Sequence, residues 1–258
     1  MTVQTRVALV TGASRGIGAS VARELATHGI GVIVNYHQNK QAAEAVVNEI
    51  AAQGGEALMV QADVQDEVQV EHLVATTLQT YGRIDILVSN ASIAHRPASF
   101  EEMSWSEFIH KVDGELHAAF ALTKAVVPTM KQQQYGRIVY ISSEHSIGPA
   151  APGMIANGTA KAALNNFARY IAAEFGPAGI TANIVAPGMV ETDTSKWVPE
   201  VVRQRVLAGT PLQRIAQPED IARVVAFFAS EDSGFMSGTY VPVSGGFGLA
   251  PLLNYTKW

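Results

Sequence analysis

The chain has no cysteine in its 258 residues, which excludes disulfides and thiolate metal sites and leaves nothing that calls for an oxidising compartment. Charged residues are sparse at 16%, with 18 Lys and Arg against 23 Asp and Glu; the net charge of −5 argues against nucleic acid as the main partner. No apolar run approaches the roughly 18 residues of a membrane span, and no charged-then-apolar leader opens the chain, so a soluble cytoplasmic protein without a membrane partner is expected. His95, His110 and His117 lack metal-ligand spacing, and no metal is expected. Repeats, low-complexity tracts and dividing linkers are also missing, so residues 1–258 read as one domain. At 48% hydrophobic it can bury a large core.

What is present begins with Arg6-Val7-Ala8-Leu9-Val10, a short buried strand, followed at once by Thr11-Gly12-Ala13-Ser14-Arg15-Gly16-Ile17-Gly18 and then a periodic helix through Val21, Leu25 and Ala26. Glycines at 12, 16 and 18 let the backbone turn tightly and approach a pyrophosphate, whose charge the free N–H groups and positive end of the helix stabilise. A glycine turn alone is often mere punctuation. Strand, spacing and helix together indicate a dinucleotide site.

Strand-like and helix-like segments alternate along the whole chain, which predicts an α/β fold with a doubly wound parallel sheet of about seven strands flanked by helices. Strands are expected near 6–11, 31–35, 56–60, 84–89, 136–142, 180–185 and 239–243. After Lys161, the apolar stripe of Ala160, Ala163, Leu164, Phe167, Ile171 and Phe175 reads as core or subunit contact.

The glycine motif, Asp63-Val64, Asn90-Ala91-Ser92, Ile141-Ser142-Ser143, Lys161, Pro187-Gly188 with Thr192, and Ser244-Gly245-Gly246 follow one another in an order and spacing that resembles the short-chain dehydrogenase/reductase family over nearly the full length. The resemblance implies a Rossmann-type fold, a nicotinamide cofactor, hydride transfer, and commonly a homodimer or homotetramer packed through two long central helices. It assigns the cofactor to Gly12, Ser14, Arg15, Gly16, Ile17, Gly18, Asn35, Lys40, Asp63, Val64, Asn90, Ala91, Lys161, Pro187, Gly188, Val190 and Thr192. The second strand ends Asn35-Tyr36-His37-Gln38 without the acidic residue that would bind an NAD ribose. Arg15 and Lys40 can instead neutralise a 2′-phosphate, so NADP(H) is expected. Asp63 matches an adenine contact, although an aspartate after a strand is often only a helix cap.

The family's chemistry rests on a tyrosine that moves the proton, a lysine four residues later, a serine that positions the substrate oxygen, and an asparagine that anchors a water relay. Lys161 and Ser143 are in place, but Asn157 occupies the tyrosine position, and an amide cannot act as a general acid. Some enoyl reductases of the family carry the tyrosine seven residues before the lysine, which here is Met154. Counting back from Phe120 places Glu115 where the asparagine would be. Counting forward from Trp105 gives another register, so a short insertion or bulge is expected at Val112-Asp113-Gly114. There Glu115 is either a surface residue or a carboxylate able to pair with Lys161 or to shuttle a proton. His145, two residues past Ser143, is the best proton donor by its ordinary pKa, although a lone loop histidine more often faces solvent.

Two function classes follow. One is an NADPH-dependent reductase of a carbonyl or conjugated alkene, with a non-standard proton donor. The other is a non-redox isomerase, dehydratase or cyclase, or a non-catalytic NADP-binding subunit, on the same fold. The segment about 189–212 resembles a substrate lid, and its Trp197, Val198, Val201 and Leu207 indicate a small hydrophobic substrate of acyl, polyketide-like or aromatic character. The tail 247–258 resembles those that close a pocket or pack at a subunit interface.

Overall fold

The computed structural model describes residues 5–148, 151–193 and 195–249. The chain alternates strands and helices: β1 (Val7–Val10), α1 (Gly16–Thr27), β2 (Gly31–Tyr36), α2 (Lys40–Ala52), β3 (Ala57–Gln61), α3 (Glu67–Tyr81) and β4 (Ile86–Ser89). Then come α4 (Trp105–Gln133), β5 (Gly136–Ile141), α5 (Ile155–Phe175), β6 (Ile180–Pro187), α6 (Glu200–Ala208), α7 (Pro218–Ala229) and β7 (Tyr240–Val243). The strands form one sheet in the order β3-β2-β1-β4-β5-β6-β7, and every pairing is parallel. The expected fold class is therefore observed. Strand β6 runs two residues beyond its expected end because Ala186 and Pro187 pair with Pro242 and Val243 of β7.

A sheet covered on both faces needs apolar side chains at every strand position, and β1 reads Val-Ala-Leu-Val with all four buried. Alternate residues enter different cores: Val7 and Leu9 join Ile33, Leu73, Leu122 and Leu164 on one face, and Ala8 and Val10 join Val32, Leu25, Val46 and Val225 on the other. Helices α3, α4 and α5 thus cover one face and α1, α2 and α7 the other. In α5, Ala160, Leu164 and Ile171 of the expected stripe are buried, and Phe167 meets Tyr140 edge-on at 5.9 Å.

The expected bulge at Val112-Asp113-Gly114 is absent. Helix α4 runs unbroken over 29 residues from a capping box made by Ser104 and Glu107. Gly114 serves close packing instead, because a Cβ there would come 2.6 Å from Gln65 Oε1 and 3.2 Å from Ile93 Cγ1. The continuous helix sets the register that turns Glu115 inward.

Strand order reverses direction of growth between β1 and β4, and the crevice beyond the carboxyl ends of the strands at such a point is where ligands bind in open α/β sheets.

Candidate active site

A cleft of about 910 Å³ opens there, lined by the glycine turn, residues 35 and 37–39, the loops after β3, β4 and β5, His110 of α4, Asn157 and Lys161 of α5, and residues 187–190, 192 and 193 with Ser195 and Val198. Its floor admits no side chain at Gly18, where a Cβ would lie 2.5 Å from both Asn90 Nδ2 and the Gly12 carbonyl. Gly12 has φ +61 and lies against Ala91. The N-cap of α1, Arg15, makes no capping hydrogen bond, and the first turn holds no acidic side chain. The N–H groups and positive end of that helix are therefore left for an anion.

Neighbouring loops brace the turn. The Asn90 amide donates to the Thr11 carbonyl at 2.8 Å, and the backbone N–H groups of Asn90 and Ala91 donate to Thr11 Oγ1. Buried Asn35 accepts from Gly12 N at 3.2 Å and donates to the Ala62 carbonyl at 3.1 Å, so its side chain holds the turn in place. Asp63 accepts from Gln65 N–H at 3.0 Å and lies 3.7 Å from His37 Nε2. Of the expected cofactor residues, all line the cleft except Lys40, which begins α2, exposed, outside the lining.

At the inner end of the cleft, Asn157 and Lys161 are one turn apart on α5, and both are buried. Lys161 Nζ donates to the Ile141 carbonyl at 2.7 Å and is ion-paired with Glu115 Oε1. The other carboxylate oxygen, Oε2, takes Lys111 Nζ at 2.5 Å. Lys111 itself has no exposed side-chain surface, and it also donates to Ser92 Oγ and to the Ile93 carbonyl, each at 2.9 Å. Burial pushes the Glu115 carboxyl up, but Lys161 and then Lys111 outweigh it and bring it down to about 2. Burial pulls Lys111 below an ordinary lysine; Glu115 opposes that, and Lys161 adds to it.

Ser143 is half-buried at the lip of the cleft, with Oγ 3.0 Å from His145 Nδ1. Asn165 of α5 clamps this loop, accepting from Ser142 Oγ at 2.6 Å and donating to Ser146 Oγ at 2.8 Å. Gly158 leaves room for it, since a Cβ there would be 2.8 Å from the His145 carbonyl. Burial lowers the pKa of His145, so its resting form near neutrality is the neutral imidazole that holds Ser143. Its Nε2 is buried with no hydrogen-bond partner, and so is His95 Nε2. Burial and then the Lys111 charge lower His95 as well. Glu144 turns the other way, toward Ser244 and Gly188, and burial raises its carboxyl.

No tyrosine lines the cleft among the described residues. Tyr140 is buried against Thr123 at 2.7 Å, and the Tyr240 hydroxyl donates to the Ser143 carbonyl at 3.4 Å. Glu115 and His145 lie behind the lining and reach it through Lys161 and Ser143. Sequence reasoning singled out neither Lys111 nor His95 as part of the site; the Lys111–Glu115 spacing of four on one helix was the available signal.

A family model described as Enoyl-(Acyl carrier protein) reductase matches residues 12–248. The chain belongs to the short-chain dehydrogenase/reductase family. It is an oxidoreductase of that family. It is 40% identical over 242 residues to a 3-oxoacyl-[acyl-carrier-protein] reductase from Synechocystis sp., covering 93% of this chain and 96% of the relative. It is 37% identical over 243 residues to the 3-oxoacyl-[acyl-carrier-protein] reductase FabG of Staphylococcus aureus, covering 94% and 98%. Among solved structures, YwfH, an NADPH-dependent reductase involved in bacilysin biosynthesis, superposes with a TM-score of 0.89 at 26% identity, covering 96% of this chain and 100% of that one.

The segment 189–212 is anchored at both ends. Val190 bridges Ala216 at the start and Leu212 N–H donates to the Gly245 carbonyl at 3.2 Å at the end, while Arg203 of α6 is ion-paired with Glu191. Of the tail 247–258, only residues 247–249 are described; Phe247 packs by Gly209 and Leu249 is exposed. Residues 250–258 lie outside the described residues. No described helix is long and apolar enough to cross a membrane.

Proposed function

We propose that this oxidoreductase reduces a carbonyl or conjugated alkene of a small hydrophobic substrate, acyl, polyketide-like or aromatic, with NADP(H) as cofactor, and that a lysine–glutamate pair replaces tyrosine in proton delivery. The observation that carries this reading is Glu115, buried and paired with Lys161 at the base of a cleft lined by the glycine turn. The residues present fit the cofactor: Gly12, Gly16 and Gly18 with the open end of α1 would hold the pyrophosphate. Exposed Arg15 and the absence of a carboxylate over residues 35–38 favour a 2′-phosphate. When bound, the nicotinamide supplies the hydride.

The chain's own residues supply the rest. Ser143, oriented by His145, donates a hydrogen bond to the substrate oxygen, and Lys161 stabilises the charge developing there and gives up a proton. Asn157 donates a hydrogen bond and no proton. Glu115, ion-paired with Lys161, orients it. Subunits pair through α4 and α5, where Leu116, Phe120, Ala163 and Phe167 line a groove and Phe120 is exposed.

The test is NADPH oxidation with ketones and enones bearing acyl or aromatic groups, with products identified. Stoichiometric reduction supports the reading. Conversion of a ligand with no change in the cofactor refutes it.

A further inference from the structure

The family's usual proton path depends on groups that this chain replaces, and the replacements touch one another. Glu115 bridges Lys161 and Lys111. Lys111 in turn donates to Ser92 Oγ at 2.9 Å, and Ser92 is exposed and lines the cleft. A fully buried lysine is costly unless paired and hydrogen-bonded, and this one spends its three donors on Glu115, Ser92 and the Ile93 carbonyl. Packing alone would be served by methionine at that place. A chain of side chains running from solvent at Ser92 to Lys161 beside the reacting oxygen has a further use.

We propose that Lys111 is a proton-relay residue, and that Ser92, Lys111, Glu115 and Lys161 form a continuous side-chain path carrying protons from solvent to the substrate oxygen. This rests on the reductase reading above. As the substrate carbon accepts a hydride, its C=O π bond breaks and its oxygen takes a proton from the Lys161 ammonium, leaving the amine. The Lys111 proton passes across the Glu115 carboxylate to that amine, and Lys111 is recharged by water through the Ser92 hydroxyl. One hydride and one solvent proton are added, giving the alcohol, and every side chain returns to its starting charge. Burial makes Lys111 a readier donor than an ordinary lysine. The charged or titratable groups facing it are Glu115 on its own helix, Lys161 on α5 and His95 after β4, with His145 acting on His95.

Two arms test this. In the first, protein without ligand, carrying 13C at lysine Cε and glutamate Cδ, is titrated by NMR. The Lys111 signal is expected to titrate below an ordinary lysine and to move the Glu115 signal as it does so. An ordinary titration that leaves Glu115 unmoved overturns the relay, whatever the activity. In the second, turnover is compared in H2O and D2O for Lys111→Met, Lys111→Arg and Ser92→Ala. Arginine keeps the charge that holds Glu115 but has no transferable proton. It is therefore expected to fold with KM little changed and to lose kcat on the order of a hundredfold, with an enlarged solvent isotope effect. Ser92→Ala is expected to enlarge the isotope effect too, and added ethylamine to restore turnover in Lys111→Ala. Full kcat in Lys111→Arg overturns the proposal and leaves Lys111 a purely structural cation. A wild type that oxidises no NADPH with any acceptor refutes the reductase reading instead, and the linkage of Lys111 to Glu115 is then decided by the first arm.

Discussion

Replacing Glu115 by Gln keeps the shape of the side chain but leaves two buried lysines facing a neutral amide. Wild type holds one surplus positive charge in this cluster; the variant holds two. Lowering a carboxyl from 4.5 to about 2 corresponds to about 3 kcal/mol of favourable interaction in the folded state. Removing one partner of a buried ion pair costs about 3–5 kcal/mol by a separate route. Both figures put the loss near 3–4 kcal/mol at pH 7, on the order of a 10 °C fall in Tm for a chain of this size. Because the folded value lies below the unfolded one, the carboxylate's contribution is complete above about pH 4.5 and is lost as pH falls from there toward 2. Urea or thermal unfolding of both proteins across that range is the assay, and the two curves are expected to converge at its acid end. Lys111→Met combined with Glu115→Gln returns the cluster to one surplus charge, and should recover at least about 1 kcal/mol of the single variant's loss. A Glu115→Gln protein within about 1 kcal/mol of wild type, with no pH dependence in the difference, would show that the buried pair is not formed as described.

Arg15→Ala is expected to weaken NADPH binding about ten- to a hundredfold, measured by fluorescence titration, while leaving NADH affinity nearly unchanged. Equal losses for both cofactors would remove Arg15 from the 2′-phosphate. Gly114→Ala forces a Cβ to 2.6 Å from Gln65 Oε1 and against Ile93, so it should destabilise the protein by about 1–3 kcal/mol in denaturant unfolding. A neutral result would mean that the α4 backbone has room to shift. Asn157→Tyr is expected not to raise kcat on the natural substrate, because Glu115 already engages Lys161 where a tyrosine would need it; a large gain in steady-state NADPH oxidation would show an ordinary family site lacking one residue.

The arrangement of elements was written in local pattern. Short runs such as Val7–Val10 are apolar at every position because both faces of a parallel sheet are covered, and alternation with helical segments leaves few other topologies. The glycine turn was equally legible, since close approach and positive φ leave a residue-type signature. The polar cluster at the inner end of the cleft was only half so. Asn157 at the tyrosine position can be counted from Lys161, but whether Glu115 faced inward depended on α4 running unbroken through Gly114, which two counting registers left open and tight packing against Gln65 and Ile93 decided. Lys111 and His95 were not placed in the site from sequence at all. A buried, paired lysine has the same letter as a solvated one, and only the meeting of α4, α5 and the loop after β4 removes it from water. The family resemblance likewise implies a cofactor role for Lys40 and Asn35. The folded chain turns Asn35 into a brace for the glycine turn and leaves Lys40 outside the cleft, because a side chain's role is set by distances between segments far apart in sequence.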